Sequence, residues 1–173
     1  MGVAAVSRDR VEERLASLEE AYSGFPIDQT TIAVPREAYE RASERSERGI
    51  VDAYVQLYNE RGDALLVERD EGWTVPHGEP GIGERVVPGT ERAVRERTGV
   101  DCEITDLGRV TILGVRDEEA PDRGPVYRLI AVFTAETTAD AEAGGADGVA
   151  TDGTTADGVR WHSTVPDSAV PSH

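Results

Sequence analysis

The stretch from Gly72 to Val100, GWTVPHGEPGIGERVVPGTERAVRERTGV, collects residue types that phosphate chemistry uses. Its carboxylates can hold a hard cation, and its guanidiniums can grip phosphate oxygens two at a time. The segment TERAVRERTG has helical spacing, and Gly99 stands where a left-handed cap would end the helix. On that helix Arg92 and Glu96 lie one turn apart, the spacing of an exposed ion pair. Positions 93, 96 and 97 share one face, which carries Ala93, Glu96 and Arg97. Arg97 has two readings: an ordinary solvated helix residue, or a group that repels a cation and binds a phosphate. His77, ahead of Gly78 in the loop, is either exposed or within reach of a phosphate.

Taken in order, Gly78, Glu84, Arg92, Val94, Glu96, Gly99 and Val100 resemble the Nudix box, G-x5-E-x7-R-E-U-x-E-E-x-G-U with U aliphatic. Seven of its nine fixed positions match. Ala93 and Arg97 stand where the family has Glu. The hairpin containing DALLVER, the run GWTVPHG, the strand YRLIAVFTAE and the segment VRWH follow in the family's order, so the resemblance covers about residues 50 to 167. Members of that family hydrolyse a nucleoside diphosphate linked to another group, by water attack at phosphorus with a divalent metal on the pyrophosphate.

The resemblance implies an α+β Nudix fold, a mixed β-sheet sandwiched between α-helices. It implies Glu96, Glu84 and Arg92 as the catalytic set, with Arg92 holding neighbouring carboxylates. Glu96, Glu84 and the carbonyl of Gly78 are the implied metal groups, and Arg97 and His77 the substrate-binding ones. Isolated, each residue has a bland reading as a helix pair or a turn; the spacing of all seven together favours the functional one. Mg2+ or Mn2+ is the expected cofactor, weakly bound without substrate because two box carboxylates are missing. Glu79, Glu91, Asp117, Glu118 and Glu119 are candidate replacements. Hydrolase is the favoured function, and a weak or inactive nucleotide-binding or regulatory domain is the alternative.

These residues need a scaffold. VDAYVQLYNERGDALLVER reads as a hairpin turning at Asn59, Gly62 and Asp63. RVTILGV and VYRLIAVFTAE read as further strands, the second central because its apolar run is nearly unbroken. Before about residue 49 comes an N-terminal helical extension, residues 1–48. In it Val11, Leu15, Leu18 and Tyr22 mark an amphipathic helix capped by Ser7 and stopped by Gly24. TTIAV is a short strand candidate, and Pro35 opens a second helix with a narrow stripe of Ala38, Tyr39 and Ala42. The extension has three uses open to it: packing on the domain, forming a homodimer, or covering the substrate cleft. The Nudix domain spans 49–168, and the tail is 169–173. Within the domain, residues 136–157 hold six acids and no base and read as a flexible loop.

At 173 residues the chain supports one principal core, and its formal charge of −16 disfavours nucleic acid and anionic lipid as partners. A small phosphorylated molecule, carried with metal, fits better. Cys102 is single and reads as a buried small hydrophobe. No apolar run is long enough to span a bilayer and the N-terminus lacks a signal-peptide core, so a cytoplasmic location is expected. All 18 basic residues are Arg. Such an acidic, lysine-free chain suits a halophilic source, an archaeon, whose salt screens charge within about 3 Å at 1 M. The unfolding midpoint should therefore rise between low and molar salt; equal midpoints would sink this reading.

Overall fold

The computed structural model describes residues 3–69, 72–138, 154–156 and 158–163. Three helices and nine strands follow in the order α1 (Val3–Ala21), β1 (Ile27–Val34), α2 (Arg36–Arg48), β2 (Val51–Tyr58), β3 (Ala64–Arg69), β4 (Gly72–Thr74), β5 (His77–Gly78), α3 (Val86–Thr98), β6 (Cys102–Asp117), β7 (Val126–Thr137), β8 (Thr154–Ala156) and β9 (Val159–His162). The strands form one sheet in the order β1-β6-β7-β2-β3-β9-β8, with β4 added to β3 and β5 to β2. β1 runs parallel to β6 and β2 parallel to β7, while the other pairs are antiparallel. This is the mixed α+β architecture expected from the sequence. Among the described residues no helix is long and apolar enough to cross a membrane.

The apolar run of β7 explains its central place. Its alternate residues Leu129, Ala131, Phe133 and Ala135 enter the larger core cluster, to which α1 contributes Val11 and Leu18 and α3 contributes Val86 and Val94. On the other face Val126 joins Tyr39 and Ala42 of α2 in a second cluster. The sheet is thus covered by helices on both sides. The hairpin turns as expected, with Asn59 Oδ1 accepting from the amides of Arg61 at 3.0 Å and Asp63 at 2.9 Å.

Three details differ from the sequence reading. The first helix starts at Val3, so Ser7 lies inside it, buried, and accepts a hydrogen bond from the Tyr127 amide at 2.9 Å instead of capping. The alanines upstream of Ser7 are strong helix formers and carry the helix past it. The strand begun at Cys102 and the strand RVTILGV are one 16-residue strand, bent by irregularities at Ile104/Asp106 and Leu107/Arg109. In the acidic segment, residues 139–153 and 157 lie outside the described residues, while β7 extends to Thr137 and Thr154–Ala156 pairs with β9.

The N-terminal segment packs on the sheet. α1 lies against β7, and β1 extends the sheet beyond β6. Cys102 is buried, and burial pushes its thiol up to about 12, so it packs as a small hydrophobe.

Candidate functional site

α3 ends on Gly99, in the left-handed region at φ 76°, whose amide donates to the Arg95 carbonyl at 2.7 Å. Ahead of the helix the loop folds on itself: the Glu84 amide donates to the Gly81 carbonyl at 3.1 Å, and the Gly81 amide donates to Glu84 Oε1 at 2.9 Å. The Glu84 carboxylate then lies over the first turn of α3. A Cβ on Gly89 would come within 2.7 Å of Glu84 Cδ, so any side chain there would have to push the carboxylate aside.

Arg92 joins this loop to the helix. It grips Glu84 with both arms, Nε to Oε2 at 2.5 Å and Nη2 to Oε1 at 2.8 Å, and gives Nη1 to Glu96 Oε2 at 2.7 Å. The Arg92 hydrogen bond, followed by that from the Gly81 amide, holds the Glu84 carboxyl down to about 2. The three residues expected to be catalytic are thus assembled as one ion ladder. Arg14 of α1 fastens the loop from outside, donating to the carbonyls of Glu84 at 2.7 Å, Gly81 at 2.8 Å and Ile82 at 3.0 Å.

Gly78 of β5 pairs with Ala53 and lies against α3, where a Cβ on it would meet the Ala93 Cβ at 2.9 Å. A methyl group therefore stands where the family pattern has a carboxylate. Arg97 is exposed and makes no hydrogen bond or ion pair among the described residues. His77 is turned inward: its ring meets Tyr54 with centroids 4.8 Å apart, and its Nε2 lies 3.3 Å from Asp52 Oδ1.

The candidate replacement carboxylates separate. Glu91 accepts the Ile104 amide at 2.8 Å, tying α3 to β6. Asp117 is buried and bound by Arg36 Nε at 3.1 Å and by the Glu119 amide at 2.9 Å, and Glu119 accepts the Arg36 amide at 3.2 Å. These acids pin the start of α2 to the end of β6. Glu118 donates its amide to the Val34 carbonyl at 2.9 Å, and its side chain is exposed. Glu79 belongs to a charged cluster beside the box.

At the centre of that cluster is Asp52, 6% exposed at the start of β2. Arg128 of β7, 2% exposed, donates Nε to Asp52 Oδ2 at 2.7 Å and Nη2 to Oδ1 at 3.1 Å. Its remaining Nη1 reaches Ser46 Oγ at 3.0 Å and the Gly49 carbonyl at 3.1 Å. Arg45 bridges Asp52 and the exposed Glu79. Burial pushes the Asp52 carboxyl up, but hydrogen bonds from His77 and Arg128 and the charges of Arg128 and Arg45 outweigh it and hold the group far below the usual range.

Asp52, His77 and Glu79 offer ligand atoms within 4.8 Å of one another. Arg45 and Arg128 both pair with Asp52 and both lie within ion-pair reach of Glu79, so a divalent ion would displace bound cations and be repelled by them. This is an arginine-carboxylate cluster, not a metal cage.

No protein-family model and no curated protein matches the chain. Among solved structures it is similar to the MutT protein from Methanosarcina mazei Go1, at 21% identity over 53% of this chain and 64% of that one, with a TM-score of 0.37. It is also similar to a UDP-X diphosphatase, at 15% identity over 73% of this chain and 50% of that one, with a TM-score of 0.38. The chain thus spans less than two thirds of either, and the likeness is one of fold.

Proposed function

We propose that the chain is a Nudix-type hydrolase that cleaves a nucleoside diphosphate linked to another group, by water attack at phosphorus. The observation that supports this best is the Glu84–Arg92–Glu96 ladder, built on the Gly81 turn and held by Arg14. Such a ladder fixes Glu96 in a single direction on the exposed face of α3. A merely solvated helix pair would need neither the loop nor Gly89.

An all-protein magnesium cage does not fit, because both Glu84 oxygens are bonded to Arg92 and positions 93 and 97 carry no carboxylate. Mg2+ held by one or two carboxylates and by substrate phosphates does fit. Glu96 would hold it through its outer oxygen, with Glu84 acting through water and Gly78 through its carbonyl. Bound there, Mg2+ or Mn2+ would neutralise the transferring phosphoryl group and lower the pKa of the attacking water.

The chain's own residues do the rest. Arg92 orients Glu96, Glu84 keeps Arg92 in place, and Arg97 offers an unengaged guanidinium to the phosphates. His77 packs beneath, with its Nε2 on Asp52. The acidic surface keeps polyanions away, leaving a small phosphorylated molecule as partner and a cytoplasm of high salt as the setting.

The second reading is a nucleotide-binding domain with little or no turnover. It is favoured by the Ala93 methyl packed on Gly78, which leaves Glu96 as the lone carboxylate of its face. A screen of nucleoside diphosphate derivatives with Mg2+ and Mn2+ at molar salt separates the two by product release. Hydrolysis of at least one compound, lost in Glu96→Gln, is expected. Binding of a compound with no release from any would establish the second reading instead.

A further inference from the structure

We infer that the cleft between the end of α2 and the box loop is an anion subsite that takes a phosphate group of the substrate, with Arg45 and Arg48 as its ligands and Glu79 as a displaceable stand-in for that phosphate. The inference rests on the reading of the substrate as a phosphate compound, and places its recognition partly on the N-terminal segment.

The cleft has a volume of about 380 Å³ and is lined by Arg45, Arg48, Gly49, Glu79 and Pro80. Two guanidiniums thus face one exposed carboxylate, in a chain whose formal charge is −16. The walls are close-set: a Cβ on Gly49 would come within 2.5 Å of the Pro80 carbonyl oxygen, so the end of α2 and the box loop meet through a glycine.

A helix C-terminus ordinarily disfavours an anion. Here three of the carbonyls at that end are engaged by donors: Arg45 O by the Gly49 amide at 3.0 Å, Ser46 O by Arg10 at 2.9 Å and Gly49 O by Arg128 at 3.1 Å. Beneath the cleft the buried Asp52–Arg128 pair is internally satisfied and anchors Arg45 by one arm. The outward side of Arg45 is held only by Glu79, which has a side chain 46% exposed and adjoins Gly78, the first residue of the box. Arg48 is exposed and makes no hydrogen bond or ion pair among the described residues. A phosphate entering here exchanges one carboxylate on Arg45 for an oxyanion that both arginines can grip.

The test is calorimetric titration of the full chain with inorganic pyrophosphate at molar sodium chloride. Glu79→Gln removes the stand-in and should tighten binding by about threefold, the worth of one exposed ion pair. Arg48→Gln should weaken it by about tenfold, the worth of one charge-assisted hydrogen bond. Arg61→Gln, at the hairpin turn beyond the far end of β2, should leave it unchanged. All three positions are exposed, and unchanged unfolding midpoints exclude a folding artefact. Binding that ignores Glu79→Gln and Arg48→Gln, or that falls as far in Arg61→Gln, overturns the subsite; so does an absence of pyrophosphate binding to the parent. Pyrophosphate binding with the expected pattern but no turnover in the screen would leave the subsite standing and remove the hydrolase reading.

Discussion

Replacing Asp52 with alanine is expected to destabilise the fold by about 3–5 kcal/mol, because it strands a buried guanidinium without its counter-charge. Arg128 is 2% exposed and has committed two of its donors to Asp52. Without the carboxylate it keeps only a 3.9 Å approach to the exposed Glu79, and must stay buried with its charge poorly compensated or disrupt the packing of β7 against α2 to reach water. Denaturant unfolding at molar salt measures the loss as a fall in midpoint at unchanged slope. Removing Glu12, whose ion pair with Arg8 is about two-thirds exposed on both sides, should cost less than about 1 kcal/mol and serves as the contrast. A loss of that small size in Asp52→Ala would show that the cluster does not hold the fold together. Substituting methionine for Arg128 as well should recover part of the loss, since the orphaned charge is then gone.

The same residue sets an acid limit. Asp52 keeps its charge in the folded chain at pH values where the unfolded chain takes up a proton, and Glu84 does likewise, held down to about 2. For a carboxyl depressed on folding, the stabilisation is present above the unfolded-state pKa of about 4 and is lost as the pH falls through the folded one. Stability should therefore decline steeply below about pH 4, and the decline should be shallower in Asp52→Ala, which has already lost the larger contribution.

The features legible in the sequence were those with a local period or a turn residue. α3 and its Gly99 stop, the Asn59–Gly62–Asp63 hairpin, the central β7 and the Ala38–Tyr39–Ala42 stripe each announce themselves within a dozen residues. The pairing of Arg92 with Glu96 was legible for the same reason. Its grip on Glu84 was not, because Glu84 lies eight residues away in the loop and the resemblance implied only that Arg92 holds neighbouring carboxylates. Arg14 gave no signal, because its partners lie 67 to 70 residues away and are backbone carbonyls, which any sequence supplies. The Asp52–Arg128 pair spans 76 residues. It did leave a trace: Asp52 in IVDAYV and Arg128 in VYRLIAVF are single charges of opposite sign within apolar strands. A charge so placed must find a counter-charge on a neighbouring element, and α2 and β7 supply the rest of the cluster. His77 was read as a solvated or phosphate-facing loop residue, yet β5 pairing with β2 turns its ring onto Tyr54 and Asp52.

Replacing Ala93 and Arg97 together with glutamate should raise magnesium affinity of the substrate-free protein by at least about a hundredfold, or roughly 2.7 kcal/mol. The unmodified α3 face offers the ion one carboxylate, Glu96, and opposes it with Arg97. The double substitution changes the charge of that face by three units, each worth on the order of 1 kcal/mol or more toward a nearby cation at an effective dielectric of about 20. Molar salt screens the more distant part, which is why the figure is a floor set by direct ligation. Ala93 is partly exposed, so the first carbon of a glutamate keeps the contact with Gly78 while its carboxylate extends outward. Titration calorimetry of parent and variant with Mg2+ decides the matter. Adding Glu96→Gln to the double variant should abolish most of the gain, because the new ligands are arranged around Glu96, whose direction Arg92 fixes. Tight magnesium binding by the unmodified protein would mean that carboxylates outside the helix face complete a site, and that Arg97 does not keep the ion away.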